Sequence, residues 1–113
     1  MKMAMTPEKK VKNAVAKHLK EIGAYYFFPA TGGYGRSGVP DIVGCYEGKF
    51  FGIECKAGKN TTTALQKLEL EKIEKSAGIA MVVNEDNVAT FKEVLQKSKG
   101  RTETPGLLDE LEG

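Results

Sequence analysis

Apolar residues recur along this chain with two periods, and the switches between them mark the elements. Val11, Ala14, Val15, His18, Leu19 and Ile22 fall three and four apart and form the buried stripe of a helix. Thr6 is placed to cap that helix, Pro7 suits its first position, and Gly23 ends it. The aromatic run Ala24-Tyr25-Tyr26-Phe27-Phe28-Pro29 reads as a strand stopped by proline. Thr31 to Gly38 holds glycine at 32, 33, 35 and 38 and reads as a mobile loop. Ile42 to Ile53 reads as two short strands joined at Glu47-Gly48, with Ile42, Tyr46, Phe51, Ile53 and Cys55 facing the core. Gly58-Lys59-Asn60 breaks the third strand. Thr63 caps a second helix, whose inner face is expected to carry Leu65, Leu68, Lys72, Ile73 and Ala77, with Gly78 as its C-terminal cap. The continuous apolar run Ile79 to Val83 predicts a fully buried central strand. Asp86 to Lys97 predicts a last helix burying Val88, Phe91, Val94 and Leu95. The expected order is αβββαβα, an α/β domain with a mixed sheet and helices on its faces.

A two-residue turn at Glu47-Gly48 fixes the hairpin register, so that positions summing to 95 face each other. Asp41 then stands opposite Glu54, with β-carbons about 5 Å apart, where like charges are destabilising unless a cation lies between them. Lys56 is two residues beyond Glu54 and shares its face. Two carboxylates and an amine converging on one side of a hairpin outline a metal-dependent hydrolytic site. The plainer readings are a turn-forming Asp-Pro pair for Asp41 and a solvated edge strand for Glu54.

Pro40-Asp41 followed by Glu54-x-Lys56 resembles the signature of the PD-(D/E)XK nuclease superfamily. The ordered set of Glu8, the glycine-rich loop into Gly38-Val39-Pro40-Asp41, Phe51-Gly52-Ile53-Glu54-Cys55-Lys56, Gln66 and Gly78 resembles its virus-type replication-repair (VRR-Nuc) branch. The resemblance covers roughly Thr6 to Val83 and implies a restriction-endonuclease-like core. It implies Mg²⁺ or Mn²⁺ held by Asp41, Glu54, the backbone carbonyl of Cys55, and Glu8 from the opening helix. Hard carboxylate oxygens suit either ion, which would activate a water and neutralise charge on phosphorus. Lys56 would position or deprotonate the attacking water. Gln66 is placed by the resemblance beside that water or the scissile phosphate. Glu8 and Gln66 also have simpler roles: an acid favoured in a helix's first turn, and the return arm of a Thr63-x-x-Gln66 capping box.

Composition narrows the partner. The chain has 113 residues and a net charge of +2, but residues 103–113 hold four acids and no Lys or Arg. Without them, 17 basic residues face 11 acidic ones, which suits a polyanion. Residues 1–97 are expected to form one nuclease domain, and 98–113 a flexible acidic tail. The loop does not match a phosphate-binding P-loop, since a strand follows it. Tyr34 for stacking and Arg36, Lys9, Lys10 and Lys59 for phosphates are the expected DNA contacts, with Lys12 a further candidate; a solvated surface lysine is the plainer reading of any one of the four. His18 falls on the helix stripe and is expected at the core edge, and Tyr25 to Phe28 as core and dimer surface. Cys45 and Cys55, on opposite faces and roughly 17 Å apart, are expected to stay reduced. No apolar run reaches the length of a membrane span, and the start lacks a signal-peptide core, so a cytoplasmic setting in a bacterium or phage is expected.

The expected activity is metal-dependent cleavage of branched DNA, as in a Holliday-junction resolvase, by a homodimer, with a helicase or recombination partner as a further expectation. Two rivals stay open. One is a non-catalytic nucleic-acid-binding accessory protein; the other is a restriction-like or flap-type nuclease.

Overall fold

The computed structural model describes residues 5–30 and 37–98. Most of the glycine-rich loop (31–36), with Tyr34 and Arg36, and the acidic tail beyond Ser98 lie outside the described residues. The elements are α1 (Pro7–Glu21), β1 (Tyr25–Phe27), β2 (Ile42–Tyr46), β3 (Lys49–Cys55), α2 (Ala64–Lys75), β4 (Ile79–Val83) and α3 (Phe91–Lys97), in the expected order. They build a mixed sheet in the order β1-β2-β3-β4, antiparallel except for the parallel pair β3–β4. Among the described residues no helix is long and apolar enough to cross a membrane.

The hairpin closes as its sequence requires. Glu47 (φ 50°) and Gly48 (φ 79°) are both left-handed, the turn type whose twist matches that of the flanking strands. Ile42 pairs with Ile53 and Tyr46 with Lys49, so every pair sums to 95. Period two then sends Ile42, Phe51, Ile53 and Cys55 into the core, each 0% exposed. Val11, Val15 and Leu19 of α1 pack on that face together with Val83, Phe91 and Leu95. Each such side chain stabilises the fold by about 1.5–3 kcal/mol. Thr6 caps α1 by accepting from the Lys9 N–H, as expected.

Four local expectations are corrected. β4 is an edge strand, paired only with β3, and Val82 is exposed; the central position belongs to β3. α2 is rotated from its expected azimuth: Leu65 and Leu68 face outward, and Gln66, Glu69, Leu70 and Ile73 face inward. The reason is steric and electrostatic together. Ile73 fills the space that side chains at Gly52 and Gly78 would take, and Gln66 reaches a buried carboxylate. At the end of α2 the left-handed residue is Ala77 (φ 69°), not Gly78. The Gly78 N–H bonds to the Ile73 carbonyl and the Ala77 N–H to Glu74, closing the cap. Finally, 85–90 are turns rather than the start of α3, and Val94 is exposed. The Asn84 and Asn87 side chains bond to nearby backbone N–H groups and hold that segment out of the helix.

Candidate active site

Asp41 stands at a bend just before β2, and its carboxylate is tied across to β3: Oδ2 accepts a 2.8 Å hydrogen bond from the Cys55 N–H. The approach to it is tightly built. Gly38 has φ 82°, and a Cβ there would run into the backbone of Leu65 in the first turn of α2. The segment Gly38-Val39-Pro40-Asp41 is thereby wedged between α2 and the hairpin.

Glu54 lies in the central strand and is 2% exposed. Its Oε2 accepts from Gln66 Nε2 at 2.9 Å and lies 3.5 Å from Lys56 Nζ. Its Oε1 is buried and has no hydrogen-bond partner among the described residues. Burial first, then the Asp41 carboxylate, pushes Glu54 up from 4.5 to about 7, against the pull of Lys56. Lys56 is itself 8% exposed and anchored by its N–H to the Val83 carbonyl.

Gln66 forms its expected capping box and at the same time reaches the carboxylate of Glu54. The Gln66 Oε1 accepts from the Thr63 N–H at 2.9 Å, and the Thr63 hydroxyl accepts from the Gln66 N–H, completing the capping box. That leaves the amide nitrogen free to donate to Glu54. The cap thus fixes which end of the amide meets the carboxylate.

Glu8 arrives from the first turn of α1, carried there by the packing of Val11, Val15 and Leu19. One carboxylate oxygen each from Glu8, Asp41 and Glu54 lie within 4.8 Å of one another. Three carboxylates this close, one of them with a buried oxygen that has no partner among the described residues, are repulsive without a cation, and hard oxygen donors at this spacing suit a divalent ion. The residues present therefore fit a metal. Cys55 offers no thiolate to it: burial, then Asp41 and Glu54, push the thiol up to about 12, and it is 0% exposed. Both cysteines are free thiols, Cys45 on the exposed face.

Glu8 and Asp41 also wall a cleft of about 660 Å³ together with Lys9, Lys12, Asn13 and Phe28. Lys10 is exposed and not among the residues of that wall, and Lys59 is exposed in the turn after β3. Lys12 was expected from the sequence as one of several possible phosphate contacts, and the structure places it in this wall. Phe28 was not among the expected site residues, since it reads as part of the aromatic strand.

Residues 9–100 match the family of archaeal Holliday junction resolvases (Hjc). The chain belongs to that family. No curated protein matches it. The family lies within the PD-(D/E)XK superfamily, so the superfamily expected from the motifs stands, and the branch matched is the archaeal resolvase family. This resolvase is a structure-selective, metal-dependent nuclease acting on branched DNA, and the carboxylate cluster is compatible with that chemistry.

Proposed function

We propose that the chain works as a homodimer that cuts opposite strands of a four-way DNA junction with Mg²⁺ or Mn²⁺. The observation that carries this reading is the convergence of the Glu8, Asp41 and Glu54 carboxylates, with Glu54 Oε1 buried without a partner among the described residues and Lys56 Nζ beside Oε2. Asp41, Glu54, Glu8 and the Cys55 carbonyl would hold the ion, which when bound would supply neutralisation of charge on the scissile phosphate and a more acidic water. Lys56, beside Glu54, would orient the attacking water as the ammonium or, as the neutral amine, take its proton. Gln66 keeps Glu54 in place and presents its amide to the same region. Lys9, Lys10 and Lys59, with Tyr34 and Arg36 of the loop, contact DNA. The motif order also supports a kinship with the virus-type replication-repair branch, which calls for the same chemistry.

Two sites are needed to cut two strands, so a dimer related by a two-fold axis matches a symmetric junction. An exposed apolar face supports it. Tyr25 (70% exposed), Phe27 and Phe50 lie with Cys45 on the sheet face opposite α1, and β1 leaves an edge unpaired among the described residues.

The test is cleavage of a labelled four-way junction, a flap and a plain duplex in Mg²⁺, Mn²⁺ or EDTA, by wild type and Lys56→Ala. The expected result is paired, symmetric nicks in the junction that vanish in EDTA and in the variant. Cleavage of the flap or duplex alone would overturn the substrate; cleavage by Lys56→Ala at the wild-type rate would overturn the assigned chemistry.

A further inference from the structure

The cleft that Glu8 and Asp41 wall also carries a cation with an unusual setting. Lys12 is half-buried on α1, one turn after Glu8, and its ammonium sits 4.9 Å from the centroid of the Phe28 ring. No carboxylate lies within ion-pair distance of it among the described residues. A ring face attracts the ammonium without accepting conventional hydrogen bonds from it, so its N–H donors stay available to another partner. Phe28 is off the end of β1 and 46% exposed, so its ring faces the cleft instead of joining the apolar face formed by Tyr25 and Phe27.

We propose that this wall is a second anion subsite, in which Lys12, positioned by the Phe28 ring, binds the DNA phosphate next to the one being cut. The subsite rests on the nuclease reading of the neighbouring carboxylates, but it is a separate binding surface. Its logic is charge sorting within one cleft. Glu8 and Asp41 exclude a bare phosphate from their own position, so a cation without a carboxylate partner one helical turn along α1 sets where the strand's next phosphate lies. The cleft volume falls within the range of built ligand sites. Lys12 would then fix the register of the strand, and Phe28 would be a positioning residue acting only through Lys12.

The experiment is fluorescence anisotropy of a labelled four-way junction in EDTA across a salt series, for wild type, Lys12→Gln, Lys12→Arg, Phe28→Leu and Lys20→Gln. Lys20 is an exposed lysine on the same helix, outside the cleft wall. One lost phosphate contact reduces the slope of log K against log salt by about 0.9. Lys12→Gln should show that reduction with several-fold weaker binding, Lys12→Arg should restore most of it, and Lys20→Gln should leave the slope unchanged. Phe28→Leu should weaken binding less than Lys12→Gln. In steady-state cleavage both should raise KM while kcat stays within about twofold. An unchanged slope in Lys12→Gln, or an equal change in Lys20→Gln, would overturn the subsite; wild-type affinity in Phe28→Leu would overturn the role of the ring. Because binding is read without metal, failure of the metal-site reading appears separately, as absence of Mn²⁺ binding to the wild-type protein.

Discussion

Replacing Glu54 by Gln should stabilise the metal-free protein while abolishing cleavage. The side chain is 2% exposed, and burial and then Asp41 lift it from 4.5 to about 7. At 1.36 kcal/mol per unit, holding the ionised form costs the fold about 3 kcal/mol at pH 8. The folded state keeps the proton more tightly than the unfolded chain does. Its contribution is therefore intact below pH 4.5, declines as pH rises, and is fully lost above about 7. Glutamine is nearly isosteric, never ionises, and keeps an oxygen for the Gln66 amide. In EDTA at pH 8, Glu54→Gln should unfold up to about 10 °C higher than wild type, the shift that 3 kcal/mol gives in a chain near this size. Thermal melts followed by circular dichroism from pH 4.5 to 8 provide the measurement, and the gap should close toward the acid end. With Mn²⁺ at pH 8 the wild type should gain stability and the variant little. A variant less stable than wild type at pH 8, or a gap independent of pH, would refute the claim that an uncompensated buried charge is built into this site.

The two duties of Gln66 separate in a pair of variants. Thr63→Ala should lose about 1 kcal/mol through the cap with a small effect on cleavage, whereas Gln66→Ala should lose a similar stability and at least tenfold in kcat; equal kinetics for the two would remove Gln66 from the site. Ala77 occupies a left-handed position at φ 69°, so Ala77→Gly should stabilise the protein by about 0.5–1 kcal/mol in urea unfolding with unchanged cleavage. If the face around Phe50 is the dimer surface, Phe50→Glu should yield a monomer by sedimentation and convert paired junction cuts into single nicks; a dimer of unchanged mass would clear that face.

Local chemistry was legible from the residues wherever contacts close over a short span. The Glu47-Gly48 turn sets the register by itself, and a period of two then puts Asp41, Glu54 and Lys56 on one face with Cys55 on the other. The Thr6 and Thr63 caps are likewise three-residue interactions that the sequence specifies directly. Ile73 was expected on the inner face of α2 and lies there, but the rest of the azimuth was not legible, because Leu65 and Leu68 offer as good an apolar stripe beside it as Leu70 does. Packing of Ile73 against Gly52 and Gly78, with the pull of Glu54 on Gln66, decided between them. Nor does an apolar run say how many neighbours its strand has, and so Ile79 to Val83 proved to be an edge.

Sequence alone determined the hairpin, the grouping of Asp41, Glu54 and Lys56 on one of its faces, and the order of elements, since each depends on residues a few positions apart. Tertiary structure alone brought Glu8 from α1 to within 4.8 Å of Asp41 and Glu54, left the Glu54 Oε1 buried without a partner, and set Lys12 over Phe28. Those contacts join segments separated by up to tens of residues, and only the packing of α1 on the sheet fixes their distances.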